Sequence, residues 1–117
     1  MNIIKCEKEM PTIEGNIGYY VIVYKGHKRW LKIGTSERGT NRFNDRDYRK
    51  YTKIVPLFVV EFDKANSIYD FEDIGRTVLR NTKGLVWQKN DRFRFFQMPR
   101  ELPFAKSVVE IEMVSVA

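Results

Sequence analysis

Residues 18–34 read GYYVIVYKGHKRWLKIG, a pattern that predicts a β-hairpin. Residues 19–24 are a continuous run of aromatic and β-branched side chains, which is typical of a strand buried on both faces. Residues 25–28 would form the turn, and residues 29–34 would form the returning strand. Because side chains alternate along a strand, we expect Tyr20 on one face of the sheet and Tyr19 on the other.

The flanking segments carry both helix and strand patterns. We predict helices at residues 40–51 and 66–81, a strand at 54–62, a short strand or extended segment at 92–97 and a last strand at 108–116. Residues 1–16 and 85–91 are expected to be irregular. This order predicts an α+β fold with a small central antiparallel β-sheet flanked by helices.

Length and composition set the class of protein. The 117 residues allow one domain, with a core at about residues 17–98. The net charge of +6 favours a polyanionic partner, usually nucleic acid. Cys6 is the only cysteine, so it cannot form an intramolecular disulfide, and a reducing cytoplasm fits best. We find no secretory signal and no apolar run long enough to cross a bilayer, so no membrane role is expected.

The first predicted helix carries basic residues on one side and apolar residues on another. A basic side of this kind is either an ordinary solvated surface or a surface that follows a phosphate backbone. The cations that we predict to contact nucleic acid are Arg38, Arg46, Arg49, Lys50 and Lys53.

Glu72 is the carboxylate of the second predicted helix that lies at the margin of the apolar stripe. Its acidic neighbours Asp70 and Asp73 are expected to point toward solvent. A carboxylate at this margin can face a cleft beside the sheet and hold a divalent cation, because Mg²⁺ is commonly bound through one or two carboxylates. An ordinary solvated glutamate fits the same position.

Three further side chains could take part in phosphate chemistry. Tyr20 lies on the central strand, where either core packing or a phenol beside a cation would fit. Lys32 ends the returning strand and could project toward Arg42 at the start of the first helix. Two cations there would form a phosphate-binding corner. A solvated lysine at a strand end is the alternative.

In order and spacing, these elements resemble the signature of the GIY-YIG nucleases. Gly18-Tyr19-Tyr20 is followed by Lys32-Ile33-Gly34, then by Arg42, then by Glu72. The chain is most similar to the small viral and bacterial branch whose second motif reads Lys-Ile-Gly, over residues 17–98. The resemblance implies a GIY-YIG-like fold and an endonuclease that hydrolyses DNA phosphodiester bonds with one Mg²⁺ or Mn²⁺ ion. RNA is not excluded as a substrate.

The resemblance also implies a role for each matched residue. Tyr20 would accept a proton from the attacking water, and Lys32 would assist that base or contact the scissile phosphate. Arg42 would stabilise charge that develops on the phosphate. Glu72 would bind the metal ion.

The chain departs from the family pattern at three places. Tyr19 stands where isoleucine is usual, Lys32 replaces a tyrosine, and the late asparagine has only Gln97 as a counterpart. A non-catalytic nucleic-acid-binding module with the same fold is therefore the main alternative.

A protein-interaction domain is a third hypothesis, and it would use the aromatic residues Trp30, Trp87 and Phe104. Gel retardation separates it from the other two, because it predicts no salt-sensitive retention of nucleic acid. No separate DNA-binding module is visible in the sequence. Specificity would then require a homodimer, a partner chain or a loop.

Overall fold

The predicted hairpin lies in the middle of an antiparallel sheet. A computed structural model describes residues 1–7 and 9–105, and its sheet has six strands in the order β1-β4-β2-β3-β6-β5. The strands and helices are β1 (Asn2–Lys5), β2 (Asn16–Lys25), β3 (Lys28–Ser36), a 3₁₀ helix (Gly39–Asn44), α1 (Arg46–Arg49), β4 (Lys53–Phe62), α2 (Ser67–Arg80), β5 (Leu85–Gln88) and β6 (Arg92–Phe95). The α+β class and the antiparallel sheet are therefore confirmed.

The sheet has a separate apolar core on each face. On one face Tyr20, Ile22 and their neighbours pack against Phe71 and Leu79 of α2. On the other face Tyr19, Val21, Tyr48 and their neighbours form a second core beneath the 3₁₀ helix and α1. Strand β2 is buried on both sides, as its unbroken apolar run predicts.

The first predicted helix is not continuous. Asp45 has extended backbone angles (φ −68°, ψ 156°), so the chain bends between the 3₁₀ helix and the four-residue α1. Lys53 is already the first residue of β4. The predicted basic side of one long helix is thus corrected, because its cations belong to three separate segments.

Strand β4 and helix α2 confirm the predicted strand at 54–62 and helix at 66–81. Two segments predicted to be irregular contain short strands, β1 and β5. Strand β6 pairs with β3 at Leu31–Phe93 and Lys32–Arg92, so the β5–β6 hairpin joins the sheet through a short seam. The strand predicted at 108–116 lies outside the described residues.

Within residues 1–7 and 9–105, no helix has the length and apolar character needed to cross a bilayer.

Candidate active site

A cleft of about 270 Å³ lies beside β3, between the α1 region and the tip of the β5–β6 hairpin. Its lining includes Lys32, Arg42, Lys50, Tyr51, Asn90 and Asp91. Cations and carboxylates both face this space, so it is polar and open to solvent. It is the part of the described structure where two of the sequence-predicted site residues, Lys32 and Arg42, meet.

The hairpin tip is held against β3 by its backbone. Asn90 and Asp91 adopt positive φ angles of 65° and 54°, a conformation that Asn and Asp tolerate better than most residues. The Asp91 carbonyl accepts a hydrogen bond from the Ile33 N–H at 3.3 Å. The Asn90 carbonyl accepts one from Lys32 Nζ at 2.8 Å. These contacts close one end of the cleft and fix the position of the Lys32 ammonium.

The surroundings of Lys32 in the cleft lower the pKa of its ammonium group. The pKa of Lys32 is lowered to about 8, chiefly by burial; the positive charges of Arg42, Lys50 and Arg92 also lower it, and the negative charge of Asp91 opposes the change. A lysine with this pKa is partly neutral near physiological pH. It can therefore accept a proton, which an ordinary surface lysine cannot do.

Beneath the two cations lies a pair of buried tyrosines. The hydroxyls of Tyr19 and Tyr48 are hydrogen bonded to each other. Lys32 Nζ lies 5.7 Å from the centroid of the Tyr48 ring, and Arg42 Cζ lies 5.2 Å from it. Tyr48 therefore supports both cations through its ring face.

Gly34 makes room for this tyrosine pair. It is the cross-strand partner of Tyr19, and a Cβ at Gly34 would collide with the Tyr19 hydroxyl. The absence of a side chain lets the Tyr19 ring cross β3 and reach Tyr48. The glycine of Lys32-Ile33-Gly34 thus has a packing role at the site.

The charges of Arg42 and Glu72 both influence the pKa of Tyr19. The pKa of Tyr19 is raised to about 12, chiefly by burial; the Tyr48 hydrogen bond and the Arg42 charge oppose the rise, whereas the Glu72 charge adds to it. The phenol therefore stays protonated at neutral pH. It can donate or accept a hydrogen bond, but it is not a ready proton acceptor.

Arg42 is held by two carboxylates that follow it in the chain. Its Nη1 donates to Asp45 at 2.8 Å, and its Nη2 lies 3.5 Å from Asp47. A guanidinium has five N–H donors, so these contacts leave capacity for a phosphate. Its side chain is 27% exposed, and a ligand in the cleft can approach it.

Glu72 lies at the edge of β3, where α2 passes the strand. Thr35 Oγ1 donates to Glu72 Oε2 at 3.1 Å, and the other carboxylate oxygen pairs with Arg76. Arg76 continues to Asp91, with Nε 2.8 Å from Oδ1. Glu72 is therefore linked to the cleft through Arg76 and Asp91, while Asp73 on the same helix is 78% exposed.

Glu72 has the chemistry to bind a divalent metal ion as its only carboxylate ligand. Its Oε2 atom accepts only the Thr35 bond among the described residues, which leaves lone pairs available. Mg²⁺ is often held by one or two carboxylates, with waters and phosphate oxygens completing the shell. No group of three or more His, Cys, Asp or Glu suited to a metal is found in the described part of the chain.

Tyr20 is placed apart from the other predicted site residues. It faces α2, has no exposed surface, and donates a hydrogen bond to the Pro103 carbonyl at 2.9 Å. Burial also raises the pKa of Tyr20. The structure brings Lys32 and Arg42 together, with Glu72 nearby at the strand edge, but it does not bring Tyr20 to them.

The predicted nucleic-acid contacts are mostly exposed, and one of them lines the cleft. Arg46, Arg49, Lys50 and Lys53 are exposed, and Lys50 lines the cleft itself. Arg38 is 62% exposed and pairs with Asp45 at 2.6 Å, so part of its charge is already neutralised.

Tyr48 is the residue that the sequence did not single out. It is 2% exposed and contacts Tyr19, Lys32 and Arg42. Its position two residues beyond Arg46 in a short helix gives no motif to identify it. A tyrosine in an otherwise charged segment, Arg46-Asp47-Tyr48-Arg49, is the one available signal.

The chain matches no family model, no curated protein and no solved structure.

Proposed function

We propose that this protein is a metal-dependent endonuclease of the GIY-YIG kind that hydrolyses phosphodiester bonds of DNA in the cleft beside β3. The observation that carries the proposal is Lys32, whose pKa is lowered to about 8 next to Arg42 and above the Tyr19–Tyr48 pair. A proton acceptor beside a fixed guanidinium is the pairing that attack of water on a phosphate requires. The net charge of +6 and the exposed cations Arg46, Arg49 and Lys50 support a polyanionic substrate.

The roles follow from the contacts. Neutral Lys32 takes the proton of the attacking water, and Arg42 stabilises the charge that develops on the phosphate oxygens. Glu72 would hold the divalent ion, which when bound supplies positive charge to the phosphate. The Tyr19–Tyr48 pair orients the two cations. We assign Tyr20 a packing role instead of the role of base, because its hydroxyl is enclosed on the opposite face.

Purified full-length protein tests the proposal directly. We expect it to nick supercoiled plasmid with Mg²⁺ or Mn²⁺ and to lose that activity in a chelator. Absence of nicking with either metal, on plasmid and on branched and single-stranded DNA, would favour the alternative of a non-catalytic nucleic-acid-binding module. Salt-sensitive gel retardation would persist in that case.

The pH dependence of cleavage follows from Lys32. Its neutral fraction rises as pH rises through about 8, so kcat/KM is expected to increase about tenfold between pH 7 and pH 9 and then level off. Initial nicking rates with Mg²⁺ across this range measure the profile. Lys32→Arg should remove the rise, because an arginine stays charged throughout. A flat wild-type profile would contradict Lys32 as the base.

The two tyrosines of the first motif are expected to differ. Tyr20→Phe should leave nicking within about twofold and cost about 1 kcal/mol of unfolding free energy, because it loses one hydrogen bond. Tyr19→Phe should slow nicking about tenfold or more, because the cations above it lose their fixed geometry. Nicking rates and urea unfolding of both variants decide this. Slow cleavage by a fully stable Tyr20→Phe protein would return the base to Tyr20.

A further inference from the structure

A second cleft, of about 400 Å³, lies at the other end of β3. It is bounded by the β2–β3 turn and by the β5–β6 hairpin, and its lining includes Lys28, Arg29, Trp30, Arg94 and Phe96. Among the described residues, no Asp or Glu contributes to this lining. The second cleft is therefore positively charged and partly aromatic, unlike the first cleft, which also holds carboxylates.

Phe96 is the most exposed large hydrophobic residue of the described structure, at 75%. Its ring packs on no core cluster among the described residues, and its one aromatic or cation contact there is the Arg94 guanidinium, 5.5 Å from the ring centroid. An exposed ring beside a cation presents a flat apolar surface next to a phosphate contact. Unpaired bases stack on such rings while cations hold the backbone.

Arg92 lies between the two clefts and contacts a lining residue of each. Its guanidinium lies 4.6 Å from the centroid of Trp30, which lines the second cleft. Its Nη1 lies 3.5 Å from the hydroxyl of Tyr51, which lines the first. Arg92 and Arg94 are two residues apart on β6, so they share a face at a spacing of about 7 Å. Cations thus run from Lys32 and Arg42 along β6 to Phe96.

We propose that the second cleft binds an unpaired segment of the substrate strand, with a base stacked on Phe96 and the backbone held by Lys28, Arg92 and Arg94. This inference rests on the proposed function, and it names the substrate class: a nucleic acid with an unpaired stretch next to the scissile phosphate. The absence of acidic groups from the lining and the exposed ring together fit single-stranded nucleic acid.

Fluorescence anisotropy of the full-length protein in a chelator tests the assignment without requiring cleavage. The probes are a blunt DNA duplex, the same duplex with an unpaired thymidine overhang, and the same duplex with an unpaired uridine overhang. We expect the protein to bind an overhang about 10-fold more tightly than the blunt duplex. Phe96→Ala should remove this preference and leave blunt-duplex affinity within about twofold.

Two substitutions at the same position separate stacking from general apolar contact. Phe96→Tyr keeps a ring and should keep the preference, whereas Phe96→Leu is apolar without a ring and should lose it. Tyr69→Ala is the matched control, since Tyr69 is a 57% exposed aromatic residue of α2 on the other face of the sheet. It should bind all probes as the unsubstituted protein does.

The assignment is overturned if blunt and overhang probes bind equally, or if Phe96→Leu behaves like Phe96→Tyr. Preference for either overhang supports it, and the tighter of the two identifies DNA or RNA as the strand. Nicking without any overhang preference would remove this inference and leave the nuclease proposal intact. Overhang preference without nicking would do the reverse.

Discussion

Replacing Glu72 with alanine is expected to reduce nicking about 1,000-fold or more while nucleic-acid binding persists. The carboxylate is the proposed ligand of the divalent ion, and such an ion supplies several kcal/mol of charge stabilisation in the transition state. Binding in the absence of metal should stay equal or become tighter, because a negative charge near the phosphate is removed. Plasmid nicking and anisotropy of the same preparation measure the two effects.

The fold should survive this substitution. Arg76 keeps its contact with Asp91, and a partly exposed ion pair such as Arg76–Glu72 contributes about 1 kcal/mol. Glu72→Gln is expected to lose cleavage equally, since it keeps the size of the side chain and removes its charge. Asp70→Ala alters an exposed carboxylate of the same helix and should cleave normally. Normal nicking by Glu72→Ala would rule out the proposed metal site.

Replacing Lys32 with methionine should have two opposite effects. Loss of the proton acceptor is expected to slow nicking about 100-fold to 10,000-fold. The same change should stabilise the fold at pH 7 by about 1–3 kcal/mol, because it removes a partly buried charge. Lys32 would thus provide the proton acceptor for cleavage and at the same time lower the stability of the folded protein.

The sign of the stability effect follows from linkage. Folding lowers the pKa of Lys32 from 10.5 to about 8, so the unfolded chain binds more protons between these values. Wild-type stability should therefore rise with pH across that window, and the penalty is complete below about pH 8. The advantage of Lys32→Met should vanish above about pH 10.5.

Urea unfolding of wild type and Lys32→Met at pH 7, 9 and 10.5 measures this dependence. Lys64→Met, which alters an exposed lysine of the β4–α2 connection, serves as the control and should change neither stability nor nicking. A Lys32→Met protein that is less stable at pH 7 and still cleaves would show that Lys32 acts as a structural cation.

The long strands, helix α2 and the short strand β6 could be predicted from sequence, whereas the short strands β1 and β5 could not. Residues 19–24 and 54–62 have unbroken apolar runs, and the α2 stripe has helical spacing, so each pattern matched its structure. Strands β1 and β5 have four residues each, and β5 exposes Val86 and Trp87. These two strands form because they pair with a neighbouring strand, and a local sequence pattern does not indicate that pairing.

The periodicity of residues 40–51 does not predict the bend at Asp45, for a related reason. Residues 40–51 have helical periodicity, but the chain must turn there so that Phe43 and Tyr48 both pack on Tyr19. Tertiary contacts thus override local propensity. The same contacts create the site, since they decide which face of β2 meets Lys32 and Arg42.

That choice of face explains the outcome for the two tyrosines. Strand alternation correctly predicts that Tyr19 and Tyr20 point in opposite directions. It does not predict which face of the sheet the 3₁₀ helix and α1 cover. They cover the face that carries Tyr19, so Tyr19 lies near the cations and Tyr20 packs in the core under α2.

We expect the short seam between β3 and β6 to let the β5–β6 hairpin open locally, as a unit distinct from the rest of the sheet. It joins the sheet at Leu31–Phe93 and Lys32–Arg92, whereas β2 and β4 pair from Asn16 to Tyr24. Amide protons of the hairpin should therefore exchange with solvent through local opening, and the free energy of this opening should be well below that of global unfolding. One wall of each cleft belongs to this unit, so a nucleic acid spanning both clefts would slow this local exchange as well as the exchange that requires global unfolding.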